Sequence, residues 1–575
     1  MFTNPIELKI DDKRINVGDP FVLKHNGSYY LYYSTNHDEI GINCWESKDL
    51  VHWQYKGLVT EDPITKNAYA PEVMYYKGKF LLVTSPFGNG HYIFSSDSPL
   101  GPFERITDNI GRMIDGSFYL ENGQLYLLAA DHAGITIHSV DDKFNVTNRV
   151  DIDAELNGWT EGPFLIKRDG YYFLTYCGNH LESDGYRVEY SYSKNLFGPY
   201  KKGVHNPLLI SIKQDYKSLG HSSMILGPDL KTYYNIYHFL HKSGNHFVRD
   251  YCIDEIQFNG IIMKQNISNK SQKTPHRPTY EIYPDEIPSN VISLEDIIYG
   301  SVIEINYIND LDVSLTNQSD KYRIQVEHQQ LVVFKNEIKI FNQKVNTTKN
   351  SISNILIEFR DTTQINLNGD LMELNCKMNG NLIVQSSKKS NFGYIAHNVQ
   401  TGTSIQVVPN QVFSNTYNKE NSLHGFNTTT KQFKSNVEGY GTFLLSLHAA
   451  VNGPVSGVCK TSSNEYAFKL QENESPYQYN SEIICEIELN GIEELSIDIK
   501  SGDIEIAFLN VERLDVYERH IKTKDLLGEE TYYLINQNEV NNVFTSNIEV
   551  IERNSHSRYG MIVNATNYSS FPFQT

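Results

Sequence analysis

Three carboxylates and a histidine, Asp19, Asp115, Glu161 and His221, each open one copy of a phrase that recurs through the first half of the chain; Ala70 opens the remaining copy. Carboxylates gathered in one place can supply and receive protons without further help, so acid–base chemistry is what this set suits. The phrases read DPFVLKHNGSYYLYYST from Asp19, APEVMYYKGKFLLVTS from Ala70, DGSFYLENGQLYLLAA from Asp115, EGPFLIKRDGYYFLTY from Glu161 and HSSMILGPDLKTYYNIYH from His221. In each, a small or polar opening leads into an apolar strand, a polar turn carrying Gly or Asp, and a second strand rich in Tyr, Leu and Phe. That is the pattern of a β-hairpin.

The phrases recur at roughly 45 to 60 residues, a spacing that holds four short strands, as in one blade of a β-propeller. Four are followed by a weaker echo, at INCWESKDLVHW from Ile42, HYIFSSDSPLGPF from His91, ITIHSVDDKF from Ile135 and VEYSYSKNLFGPY from Val188, expected to be the outer strands. A propeller sets equivalent strands radially about an axis, so one repeated position brings together residues far apart in sequence. Asp19, Asp115, Glu161 and His221 should therefore converge at one mouth of that axis. Asp and Gly at strand ends ordinarily serve turns, but a turn does not call for Glu before Gly-Pro where two other copies carry Asp.

GDP at 18 to 20, IDGS at 114 to 117, TEGPF at 160 to 164 and GHSS at 220 to 223 resemble the signature motifs of family 43 glycoside hydrolases, in family order, over about the first 260 residues. The resemblance implies a five-bladed β-propeller that cleaves arabinose- or xylose-containing glycans with inversion at the anomeric carbon. It makes Asp19 the general base, Glu161 the general acid and Asp115 the carboxylate that tunes and orients the acid. It likens His221 to an axial histidine that helps organise a calcium ion or a water cluster. Inverting hydrolysis places its two carboxyls about 6.5 to 9.5 Å apart to admit water. A third carboxylate disfavours ionisation of the acid by like-charge repulsion, so Asp115 is expected to keep Glu161 protonated.

Arg249, in HFVRDY, is expected on an inner strand of the fifth blade and resembles an arginine that many family members point at the sugar. A guanidinium offers a planar fork of donors for hydroxyls or for a carboxylate, and a salt-bridged scaffold role stands beside the sugar-binding one. Trp45, Phe87 and Trp159 are candidates to stack on sugar rings, with blade packing as the alternative in a chain that is 12% aromatic. His132, His180 and His238 lack metal-ligand spacing and read as surface or loop residues.

The 575 residues are too many for one core and imply two to four domains. A net charge of −19 argues against a nucleic-acid partner, which needs basic patches. No run of about 18 apolar residues suggests a membrane span. The opening MFTNPIELKIDDKRINVGDP has no apolar core of a signal peptide, and Cys44, Cys177, Cys252, Cys376, Cys459 and Cys485 are scattered like buried thiols rather than a disulfide framework. Both suit a cytoplasmic enzyme acting on imported oligosaccharides. The proposed chemistry requires no cofactor, and a calcium ion near His221 would be structural.

The expected fold is all-β. Residues 1–265 form the propeller and 266–289 a polar, proline-bearing linker. Residues 290–405 form a β-sandwich like the concanavalin-like domains of family 43 β-xylosidases, and 406–575 a jelly-roll, with a glycan-binding module and a packing-only domain as its two readings. The expected function is inverting, exo-acting removal of arabinofuranosyl or xylosyl ends. The alternatives are an endo-acting arabinanase- or xylanase-like enzyme, a β-fructosidase-like hydrolase, and a catalytically silent glycan-binding propeller. A β-fructosidase would be expected to show NDPN, RDP and EC phrases where this chain has GDP, IDG and EGP.

Overall fold

The computed structural model describes residues 1–399 except 37, 133, 155, 157–159, 169, 179–180, 182–185, 204–205, 211–216, 244–245, 260, 266, 268–270, 299 and 361, and beyond them residues 411–413, 432–472, 480–513, 521–524, 530–533 and 547–548. Among the described residues the chain is nearly all strand, with two short 3-10 turns at Pro63–Thr65 and Lys389–Asn391.

Five antiparallel sheets follow one another through the first 265 residues. Their first strands are Gly18–His25, Ala68–Tyr76, Ile114–Glu121, Thr160–Arg168 and Lys217–Leu226, one for each repeated phrase. The echoes fall on the third strands, Ile42–Ser47, Tyr92–Ser96, Gly134–Val140 and Arg187–Ser193. Each first strand lies against the first strand of the next sheet, and that of the fifth lies against that of the first. Leu, Ile, Phe and Tyr on both faces of each sheet fill the spaces between neighbours, as in the cluster of Val22, Leu31 and Trp45 with Ile236, Tyr251 and Ile253. The segment before the first sheet clasps the fifth. Phe2 pairs with Gln272 and Ile6 with Tyr251, and Arg14 pairs with the buried Asp250.

The strand ladder slips at the same place in all five first strands: between Gly18 and Phe21, Tyr69 and Glu72, Ile114 and Ser117, Glu161 and Phe164, and around Gly220 to Ser223. Asp19, Ala70, Asp115 and His221 have left-handed backbone there (φ 50, 44, 58 and 46°), and in the fourth sheet Gly162 takes that conformation after Glu161 (φ 56°). A β-bulge bends its strand and re-aims a side chain, which is why bulges gather beside active sites. The repeated sequence position is thus a repeated bulge.

Two six-stranded sheets follow, one from Tyr280–Ile282 through Asp370–Leu374 and one from Val291–Ile297 through Ile338–Lys344. Alternating residues such as Val313, Leu315, Ile324, Val333, Ile355 and Ile357 fill the core between them. Tyr280–Ile282, expected in a linker, pairs with Phe392–Val399 because Tyr280 and Ile282 have that core to pack against. The first sheet meets this region through Lys24, whose ammonium lies 2.7 Å from Glu304 with both side chains nearly buried. Further on, within the segment expected to be a jelly-roll, two long strands pair, Gln432–Lys460 and Asn480–Arg513. All six cysteines are free, four of them buried. No helix among the described residues is long and apolar enough to cross a membrane.

Candidate active site

Asp19 is buried and surrounded by groups that favour its charge. Arg249 NH1 donates to Oδ1 at 2.6 Å, Ser34 Oγ donates to Oδ2, and the Nδ1 atoms of His221 and His238 lie 3.3 and 3.5 Å from Oδ1. Burial by itself would push the Asp19 pKa up; Arg249, then His221 and Ser34, overcome it and hold the carboxyl below the usual carboxylate range.

Asp115 is the opposite case. Its carboxyl is pushed well up, first by burial and then by the charges of Glu161 and Asp19, against one favourable bond from Gly162 N–H to Oδ2 at 2.9 Å. Glu161 is half-buried and accepts from the Tyr186 hydroxyl at 2.7 Å. Burial thus favours the protonated form of Asp115, the more deeply buried of the two neighbouring acids, while Asp19 is held charged.

One main-chain pattern stitches these positions together. The second strand of one sheet accepts the bulge N–H of the next: Ser34 Oγ from Ala70 at 2.8 Å, Ser85 Oγ from Asp115 at 3.3 Å, and His238 Nδ1 from Asp19 at 3.3 Å. His238, expected at the surface, is corrected by this: it is fully buried because its ring fills the place that serine holds in the first two sheets. The trace of this in the sequence is that Ser34, Ser85 and His238 fall at or beside the end of their repeated phrase, although His238 lies in the middle of its strand, Tyr233–Ser243. His132 is exposed, as expected, and His180 lies outside the described residues.

Arg249 is on the third strand of the fifth sheet, His246–Asn259, rather than on an inner one. That strand and its partner Tyr233–Ser243 are long enough to carry the guanidinium over to Asp19. There it also donates to Asn36 at 3.3 Å, while its own N–H is held by Asn16. Trp45 needs correction as a sugar-stacking residue. It is buried between the first and fifth sheets, tilted against Tyr55 at 5.1 Å, because its face of the third strand points between sheets and not toward the axis. Phe87 is 46% exposed just past Lys79–Pro86, the strand that carries Ser85. Trp159 lies outside the described residues.

The Nδ1 of His221 faces Asp19 and, at 3.7 Å, Asp115, and among the described residues no group of three or more His, Cys, Asp or Glu side chains is placed to hold a metal. A cavity of about 640 Å³ lies elsewhere, between His25 and Tyr283. Asp19 and His25 stand at opposite ends of one strand, roughly 20 Å apart at about 3.3 Å per residue, so this cavity is separate from the carboxylates.

Residues 13–262 match the model of Glycosyl hydrolases family 43. These residues form a family 43 domain. Its sequence is 26% identical over 228 residues to a non-reducing end alpha-L-arabinofuranosidase of Bacteroides ovatus, covering 36% of this chain and 43% of that one. It is 27% identical over 244 residues to a xylan 1,3-beta-xylosidase of a Vibrio species, covering 36% and 45%. The matches thus span less than half the length of these curated relatives. A thermostable family-43 glycoside hydrolase of known structure shares 28% identity, covering 48% of this chain and 99% of that one, with a TM-score of 0.43.

Glu72 is a further buried acid of the family 43 domain that its motifs do not announce. Just after the second bulge, it is pushed up to about 8 by burial, against the Phe118 N–H, which favours the charged form. An acid whose pKa is raised on folding costs stability as pH climbs from its unfolded value toward its folded one. Glu72→Gln is therefore expected to match wild type near pH 4.5 and to become more stable by up to about 3 kcal/mol at pH 7, at about 1.4 kcal/mol per unit. Thermal melts of both proteins from pH 4.5 to 8.5 check this; parallel curves would refute it.

Proposed function

We propose that the family 43 domain is a glycoside hydrolase that removes terminal arabinofuranosyl or xylosyl residues with inversion. The observation that carries the proposal is the unlike surroundings of its acids: Asp19 lies against the Arg249 guanidinium, whereas the Asp115 carboxyl is pushed up by burial and then by the charge of Glu161. Asp19 takes a proton from water as the water oxygen bonds to the anomeric carbon. Glu161, more exposed than Asp115, gives a proton to the glycosidic oxygen as its bond to that carbon breaks. Asp115 orients the acid through Gly162, whose N–H it accepts next to Glu161. Two carboxyls in unlike environments, one poised as base and one as acid, are what this reaction needs. Phe87 offers an exposed ring at the same strand ends, and Arg249 can turn a donor to a sugar hydroxyl.

The same reading takes the five sheets as blades of a five-bladed propeller, supported by the contact of the fifth first strand with the first. The paired six-stranded sheets would be a sandwich domain of about residues 290–405, and the long strands beyond belong to a further module. The names of the relatives support arabinose and xylose as the sugars.

The test is incubation with 4-nitrophenyl α-L-arabinofuranoside and 4-nitrophenyl β-D-xylopyranoside, with proton NMR of the first sugar released. Nitrophenol release from at least one, with inverted product, is expected. Retained configuration would overturn the role of Asp19 as base. No release, with glycan still bound, would make the domain a binding module.

A further inference from the structure

We propose that Tyr186 is the positioning residue of the acid: its phenol dictates which oxygen of Glu161 carries the transferable proton and steadies the carboxylate left after transfer. The inference rests on Glu161 being the acid.

Tyr186 lies just before the third strand of the fourth sheet, and its ring is fully buried. Its hydroxyl donates to Glu161 Oε1 at 2.7 Å. The phenol oxygen of Tyr186 lies 3.1 Å from Cys177 Sγ, and Cys177 is directly opposite Glu161 in the strand ladder. A phenol has one proton. With that proton given to Glu161, the Cys177 thiol must be the donor to the phenol oxygen, and burial keeps the thiol protonated for the task. The result is a one-way chain from Cys177 S–H to Tyr186 O–H to Glu161 Oε1.

Packing leaves the ring little freedom to move. It lies over the backbone of Gly220, where a Cβ would come within 2.1 Å of Cε1, and it stacks on His238 at 6.0 Å and 12°. Tyr186 therefore bridges the residue that precedes His221, the histidine that caps Asp19, and one oxygen of Glu161.

The chemical consequence follows from which oxygen is occupied. Oε1 accepts from the phenol, so the acid proton resides on Oε2. When that proton moves to the glycosidic oxygen, the anomeric C–O bond breaks, its electron pair stays with the leaving oxygen, and Glu161 becomes a carboxylate. The Tyr186 bond then becomes charge-assisted and roughly twice as strong. An interaction that strengthens along the reaction raises kcat rather than lowering KM.

Tyr186→Phe should lower kcat about 10- to 100-fold on the methyl glycoside of the preferred pentose, with KM nearly unchanged. It should change kcat little on the 2,4-dinitrophenyl glycoside, whose leaving group needs no proton. The basic limb of kcat/KM should move to higher pH, because a carboxylate that loses a donor is easier to protonate. Glu161→Gln provides the reference, expected to lose the methyl glycoside and keep the dinitrophenyl one. If Glu161→Gln shows no such preference, the acid assignment fails and the proposal with it. If Glu161→Gln shows it and Tyr186→Phe loses both substrates equally, or leaves the basic limb in place, only the role of Tyr186 is overturned. Should Tyr186→Phe not fold, Cys177→Ala removes just the donor to the phenol. A smaller shift of the limb in the same direction is then expected, and an unmoved limb would overturn the proposal.

Discussion

Asp19→Asn is expected to lower kcat by about three to four orders of magnitude, the upper range for loss of a general base, with little change in KM. An amide fits the space and tolerates the left-handed backbone at φ 50°. It can still accept from Ser34, but it takes no proton from water. Asp19 is built to be charged throughout the working range: burial opposes ionisation, yet Arg249 at 2.6 Å, His221 and Ser34 prevail. The loss should therefore be flat with pH and not recovered at alkaline pH. Asp19→Gly gives a second, chemical readout. Glycine suits the same backbone and opens a space beside Arg249 large enough for azide, which attacks the anomeric carbon without a base. A glycosyl azide of inverted configuration is the expected product. Retention of more than a tenth of wild-type kcat in Asp19→Asn, or an azide of retained configuration, would remove Asp19 from the role of base.

The parts of this site that were legible in the sequence are those that a local backbone constraint forces into a motif. GDP, IDG, EGP and GHS each mark a bulge, where the chain must turn left-handed within two residues. Gly, Pro and Asp are what such a turn tolerates. The repeat was visible for the same reason, and with it the convergence of Asp19, Asp115 and His221, whose mutual distances are short. What escaped are groups whose role is set across sheets. Ser34, His238 and Tyr186 sit in ordinary strand or loop surroundings, and no neighbour in sequence demands them. They matter only because another sheet brings Asp19 or Glu161 alongside.

Two misplacements have the same origin. Trp45 is near a motif in sequence, but alternation along a strand says only that it faces one side, not whether that side looks to the axis or to the neighbouring sheet. Arg249 is expected on an inner strand of the fifth blade; the structure instead brings it in through the long hairpin of the second and third strands of that sheet. The unlike environments of the acids were beyond the sequence as well. Motif order gives three acids without their depths, and depth is the first cause that pushes the Asp115 carboxyl up.

Gly18→Ala should cost nearly as much activity as removing a catalytic group, although no reacting atom is touched. The Gly18 backbone is not left-handed, so conformational freedom is not why glycine stands there. The Arg249 guanidinium lies flat on its Cα: a Cβ would come within 1.9 Å of Cζ and 2.0 Å of NH2. The obstructing atoms end a flexible side chain, so the variant can fold by swinging Arg249 away. Asp19 then loses its nearest cation while it stays buried. Breaking one side of a buried ion pair costs about 3 to 5 kcal/mol, which corresponds to roughly 10²- to 10³-fold if most of it falls on the charged base in the transition state. The direction in pH is fixed. Asp19 is held low by Arg249 against burial, so its pKa must rise, and the base is ionised only above that value. The acidic limb of kcat/KM should therefore move to higher pH, with the largest loss below neutrality and partial recovery above it. A pH profile of soluble Gly18→Ala with a limb at the wild-type position would show that the guanidinium at Gly18 does not control the base.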